Sequence, residues 1–183
     1  KLKIGDLVVG GAFKTLLDAS SRDVLSVAPF LTLPTGAHDD ASSLNVGEKR
    51  WKLLIQGVYV KHFGPEWAAD GAVDVTWYGR RDSAGTAGTT LSTAPRTEAQ
   101  AHLRYNWSPA TALSVGIGQI QGAENTQGGV RQGDALRTTY GRLTWSQFVS
   151  PTTQVQLQLG RDLSVRSGVA ESNRLNLRVM KIF

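Results

Sequence analysis

The chain contains no cysteine. That excludes a disulfide framework and any thiolate metal site. Long hydrophobic runs are missing too: no stretch approaches the ~20 apolar residues a membrane helix needs, and no helical period is sustained. A compact lysine–arginine cluster is also lacking, although the formal net charge is +5. The arginines are instead spread along alternating positions, which argues against a nucleic-acid surface. No leader with an apolar core follows Lys1, where strand-like sequence starts directly. Either a leader was removed, or the chain as given begins inside a longer protein. With 183 residues, 40% of them hydrophobic, there is material for one domain, 1–183. If that domain crosses a membrane it does so as a barrel, because only helices and closed barrels satisfy their backbone in lipid.

What the sequence does have is alternation. In 173–183, Leu175, Leu177, Val179 and Phe183 fall on one parity, and Arg174, Asn176 and Arg178 on the other. Side chains of a strand alternate between faces, so one face is oily and the other cationic. The same period marks eight earlier segments: 3–17, 24–33, 51–63, 67–78, 96–107, 113–121, 137–149 and 154–165. The clearest is 96–107, with Ala99, Ala101, Leu103, Tyr105 and Trp107 set against Glu98, Gln100, His102, Arg104 and Asn106. Alternation in 137–149 is weaker around Leu143 and Trp145.

The connections alternate in kind. Segments 18–23, 64–66, 108–111 and 150–153 are short turns rich in Ser, Pro, Gly and Asp. Between them lie longer polar loops, 34–50, 80–95, 122–135 and 166–171. Short turns at one end and long loops at the other indicate an all-β fold, a transmembrane up-and-down antiparallel β-barrel. Aromatics agree: Phe63, Trp67, Tyr105, Trp107, Trp145, Phe148 and Phe183 lie near short turns, and Trp51, Trp77 and Tyr78 near long loops. Two such girdles are what the two interfaces of a bilayer select. If Phe183 lies on the short-turn side, counting back through about nine strands puts Lys1 on the opposite side. Bacterial single-chain barrels have even strand numbers, so the expectation is an odd number of strands before Lys1, three giving a total of about 12.

Several strings resemble the outer membrane channel family associated with the meta-pathway of phenol degradation. They are Leu33-Pro34-Thr35-Gly36, Asn45-Val46-Gly47-Glu48-Lys49-Arg50-Trp51-Lys52, Gln100-Ala101-His102-Leu103-Arg104-Tyr105, Gly160-Arg161-Asp162-Leu163 and Asn173-Arg174-Leu175-Asn176-Leu177-Arg178. The resemblance covers nearly the whole chain in the same order. It implies a monomeric 12-stranded barrel in the outer membrane of a Gram-negative bacterium, taking up small, mostly hydrophobic molecules, aromatic growth substrates among them. The implied partners are those solutes and outer membrane lipids, with no cofactor. Lys181 departs from the apolar or aromatic residue common two positions before a terminal Phe in such proteins.

A barrel of about 12 strands falls between side-chain-filled and water-filled sizes, leaving a narrow lumen. The residues expected to line or constrict it are Asp70, Asp74, Glu98, Gln100, His102, Arg104, Gln156, Gln158, Arg174, Asn176 and Arg178. Such a ladder either selects solutes or simply holds the barrel's shape by pairing its own charges. Leu54, Val58 and Val60 share the inward parity and offer an apolar strip; Pro29, Gly116 and Gly118 offer weak strand pairing and a sideways exit to lipid. The alternative to a channel is an outer membrane lipid hydrolase using His102. Its carboxylate Glu98, four residues away on one strand, would lie roughly 13 Å off, beyond hydrogen-bonding reach. His38, Asp39, Asp40, Asn45 and Glu48 offer oxygens in the first long loop, but their spacing matches no calcium loop, and no metal site is expected.

Overall fold

The computed structural model describes residues 3–18, 20, 22–42, 45–84 and 88–182. Phe183 lies outside the described residues, as do parts of the 18–23 turn and of the 80–95 loop. Fourteen strands form among the described residues. They are β1 Leu7–Gly10, β2 Phe13–Asp18, β3 Asp23–Leu33, β4 Lys52–Phe63, β5 Trp67–Tyr78, β6 Arg81–Ala84, β7 Thr89–Thr93, β8 Arg96–Ser108, β9 Thr111–Gly122, β10 Asn125–Gln127, β11 Val130–Arg131, β12 Leu136–Ser150, β13 Thr153–Val165 and β14 Arg174–Lys181.

The main sheet is antiparallel throughout and runs β1-β3-β4-β5-β8-β9-β12-β13-β14, with β2 also on β3. Strand β1 pairs with the far end of β3 (Leu7↔Leu33) and β2 with its near end (Phe13↔Val27). The two therefore act as one interrupted strand, which makes nine passes, at the nine places the alternation marks. The interruption lies opposite Pro29, whose carbonyl accepts from Gly11 N at 3.2 Å. Proline has no N–H to return, so the ladder lapses there. On its other side Pro29 stays in register with Ile55.

Each pass is joined to the next by a tight turn at one end and a long excursion at the other. Ser108 Oγ closes one turn by accepting from Ala110 N at 3.2 Å and Thr111 N at 3.0 Å. Gly64 takes φ 80° in another, a conformation that disfavours other residues. The long excursions are more ordered than their polar composition suggests. Segments of two of them build a second sheet, in the order β11-β10-β7-β6.

The packing is the reverse of a soluble sandwich. Among the described residues the buried hydrophobics are only Ala28, Ala68, Ala84 and Tyr140. Large aliphatics of the main sheet stay open to the surroundings, for example Val73 at 55%, Val115 at 59% and Leu177 at 70% exposure. Asp74 and Thr144, on the opposite face, are 9% and 7% exposed. So large a contiguous apolar surface requires a non-aqueous neighbour, and alternation over nine passes supplies it.

The candidate lumen-facing site

One contact identifies which face the sheet curls toward. Tyr140 on β12 donates its hydroxyl to Glu98 on β8, across the intervening β9. Strands two apart are separated by roughly 9.6 Å, so side chains meet over the gap only on the concave side. The residue beneath the contact is Gly118, in register with both Gln100 and Tyr140. A Cβ there would overlap the Tyr140 ring, and one at Gly116 would overlap the His102 ring. Glycine at these two positions lets both rings lie across β9.

All eleven residues of the expected ladder share this inner face. Asp74 stands opposite Glu98, Asp70 opposite His102, and Gln100 opposite Ala72. Gln156 stands opposite Arg178, Gln158 opposite Asn176, and Arg174 opposite Gly160. The β5–β8 half is knitted by charge. Arg104 Nη2 donates to Asp70 Oδ1 at 3.3 Å, Gln56 Nε2 to Asp74 Oδ1 at 3.0 Å, and Arg96 pairs with Glu98. The β13–β14 half is knitted by amides: Asn176 Nδ2 donates to Gln158 Oε1 at 3.1 Å.

Residues absent from the expected ladder join the halves. On β12, Tyr140 and Arg142 stack, with the guanidinium 4.3 Å from the ring centroid. Arg142 Nη1 donates to Gln158 Oε1 at 3.4 Å, and Thr144 Oγ1 accepts from Gln158 Nε2 at 3.1 Å. The apolar strip of Leu54, Val58 and Val60 is wider than one strand. Register sets Phe30 beside Leu54 and Val24 beside Val60 on the same inner face. The inner surface of β3–β4 is thus largely apolar, interrupted by Gln56 and bounded by Lys52 and His62, while the charged and amide ladder lies from β5 to β14.

Some expectations need correction. Tyr78 and Phe148 are not on the outer face with the other aromatics. Tyr78 pairs with inward Lys52 and lies under the Arg50 guanidinium at 4.7 Å, while Phe148 pairs with inward Gln154. The β9 ladder continues through Gly116 and Gly118 to both neighbours without a register shift at either. The two glycines make room for rings and leave strand pairing intact. Glu98 is occupied by Arg96 and Tyr140 and, in keeping with its spacing along the strand, does not serve His102. His102 Nε2 instead faces Gln100 Oε1 at 3.5 Å.

At the long-loop end a polar recess of about 350 Å³ is lined by a hydrogen-bonded chain. Arg50 Nη1 donates to Thr93 Oγ1 at 2.6 Å, Thr93 to Asn125 Oδ1 at 2.7 Å, and Asn125 Nδ2 to Asp134 Oδ2 at 2.7 Å. Burial works against ionisation of nearby Glu48, but Lys52 and Arg50 outweigh it and hold the carboxyl below its ordinary range. Two of the loop carboxylates offered for calcium are spent on cations, Asp40 on Lys49 at 3.1 Å and on Arg81, and Glu48 on Lys52 at 2.6 Å, while Asp39 Oδ1 accepts from Ala41 N at 3.0 Å. No cluster of metal-ligating side chains forms among the described residues.

The sequence pattern of a family described as "Putative MetA-pathway of phenol degradation" matches residues 2–179. A crystal structure of an outer membrane channel from Pseudomonas putida F1 superimposes with a TM-score of 0.95 at 38% identity, covering 100% of this chain and 68% of that one. No curated protein sequence matches the chain closely enough to count as a relative.

Proposed function

The chain belongs to the family described as the putative MetA-pathway of phenol degradation, and from that premise we propose that it forms most of the wall of an outer membrane channel for passive uptake of small, mostly hydrophobic or aromatic molecules. The observation that carries this is the division of the inner face. Phe30, Leu54 and Val58 offer a ring somewhere to slide, while the Asp70–Arg104 and Gln158–Asn176 contacts line the facing part of the sheet with pre-paired polar groups. Charges already paired have little to gain from a polar solute, so the apolar sector sets the preference. The fold of a 38%-identical outer membrane channel supports the location.

In this reading the short turns face the periplasm and the long loops face outward. The barrel is monomeric and closes with further strands, twelve in all. Two features support closure: β1 and β14 do not pair with each other, and the chain covers 68% of its structural relative. An unpaired strand edge does not persist in hydrocarbon. A lipid-cleaving role for His102 gains nothing from its surroundings.

The test is uptake of phenol and of glucose into vesicles containing the full-length protein. Phenol entry above that of protein-free vesicles, lost in Leu54→Asp/Val58→Asp while glucose entry stays low, is the expected result. Phenol entry unchanged by the double substitution would overturn the reading.

A further inference from the structure

We propose that Arg142 is an anion-binding point on the inner face, and that the molecules admitted include small aromatic monocarboxylates whose carboxylate it receives. The inference rests on the channel reading and narrows the class of cargo. Register places His102, Gly116, Arg142, Gly160 and Arg174 in one row across β8, β9, β12, β13 and β14. Arg142 therefore has a glycine on each side; the His102 ring lies over one of them, Gly116, and brings no negative charge to the guanidinium. A Cβ at Gly160 would come to 3.3 Å from Arg142 Nη1.

Its contacts are all neutral: the Gln158 amide oxygen at 3.4 Å and the Tyr140 ring at 4.3 Å. Three other inner-face arginines are matched, while Arg178, opposite Gln156, also lacks a carboxylate partner among the described residues but is exposed where Arg142 is half-buried. Arg96 pairs with Glu98, Arg104 with Asp70, and Arg174 with Glu171 at 3.3 Å. Among the described residues Arg142 has no carboxylate partner. A half-buried cation without a counter-charge is costly unless something else supplies one. Arg104 Nε, buried and without a partner among the described residues, adds a donor one row nearer the short turns.

The geometry suits a planar anion. Stacking on Tyr140, itself anchored to Glu98, fixes the plane of the guanidinium. A guanidinium edge matches a carboxylate with two parallel hydrogen bonds. The row of Arg142 continues through His102 and Asp70 to Val60 and Val24, which add apolar surface to the same level of the inner face.

Calorimetric titration of the full-length protein in detergent with benzoate tests this, with benzyl alcohol as the uncharged counterpart. Benzoate is expected to bind, and Arg142→Gln to weaken it by at least about 10-fold, as expected for loss of a charged hydrogen bond. Benzyl alcohol should be indifferent to that substitution. Arg142→Lys, which keeps charge but loses the fork, should fall between, and heat-modifiable migration on gels verifies that each variant is folded. Equal benzoate affinity in wild type and Arg142→Gln, absence of benzoate binding, or displacement of benzoate by chloride at equal concentration would each overturn the proposal. Planar-bilayer recordings separate its failure from that of the channel reading. A silent bilayer with Arg142-dependent binding sinks the channel and keeps the site; conduction with no benzoate dependence on Arg142 does the reverse.

Discussion

Tyr140 reaches across β9 to donate its hydroxyl to Glu98, and Gly118 lies beneath the bond. Tyr140 is 3% exposed, so its ring and hydroxyl are both committed to the inner wall. Tyr140→Phe keeps the ring and removes the donor to a charged acceptor, which should cost about 1.5–3 kcal/mol. Equilibrium unfolding of the full-length protein from vesicles, wild type against variant, measures it. A variant as stable as wild type would show that the contact carries no weight.

Gly118→Val places a branched side chain where the Tyr140 ring lies. The ring must then swing into the bore, lowering both stability and single-channel conductance. Adding Tyr140→Ala should restore conductance, because the clash is between those two groups. Failure of the second substitution to rescue the first would place the damage in the backbone instead.

The two faces differ in what they tolerate. Leu103 points outward and is 46% exposed; Leu103→Arg should cost roughly 2–4 kcal/mol if it sits near the bilayer midplane, and less toward an interface. Gln156→Arg, on the inner face, should change folding free energy by less than about 1 kcal/mol. Equal penalties would contradict the assignment of faces.

Acid should loosen the first long loop. The Glu48 carboxyl is held below its ordinary value of 4.5, so its pairing stabilises the loop fully above that value. The contribution fades as pH falls through the lowered value, where the folded state must take up the proton. Hydrogen exchange of residues 45–52 should accelerate below about pH 4.5 in wild type, and Glu48→Gln should exchange faster at neutral pH with little further change on acidification.

The passes were legible because lipid and lumen impose opposite demands on successive residues. Val73, Leu103 and Leu157 alternate with Asp74, Arg104 and Gln156 along their strands, and the structure separates the two sets by face. Strand β12 hid its inner residues: Thr139, Gly141 and Gln147 point outward with Leu143 and Trp145, blurring the contrast with Tyr140, Arg142 and Thr144. The most consequential pair on the inner wall therefore fell outside the expected ladder. Tyr78 and Phe148 were assigned by nearness to a strand end, where parity was the better guide. The second sheet was invisible because β10 and β11 are three and two residues long, too short for a period to register. Gly116 and Gly118 looked like weak points in the wall; only the rings above them show what their size is for.

The Arg50–Thr93–Asn125–Asp134 chain joins side chains from three separate excursions. If the long loops face outward as proposed, an antibody or a phage fibre that meets this end encounters an assembled epitope. Serum raised against the isolated peptide 122–135 should therefore stain denatured protein on a blot and leave intact cells unlabelled.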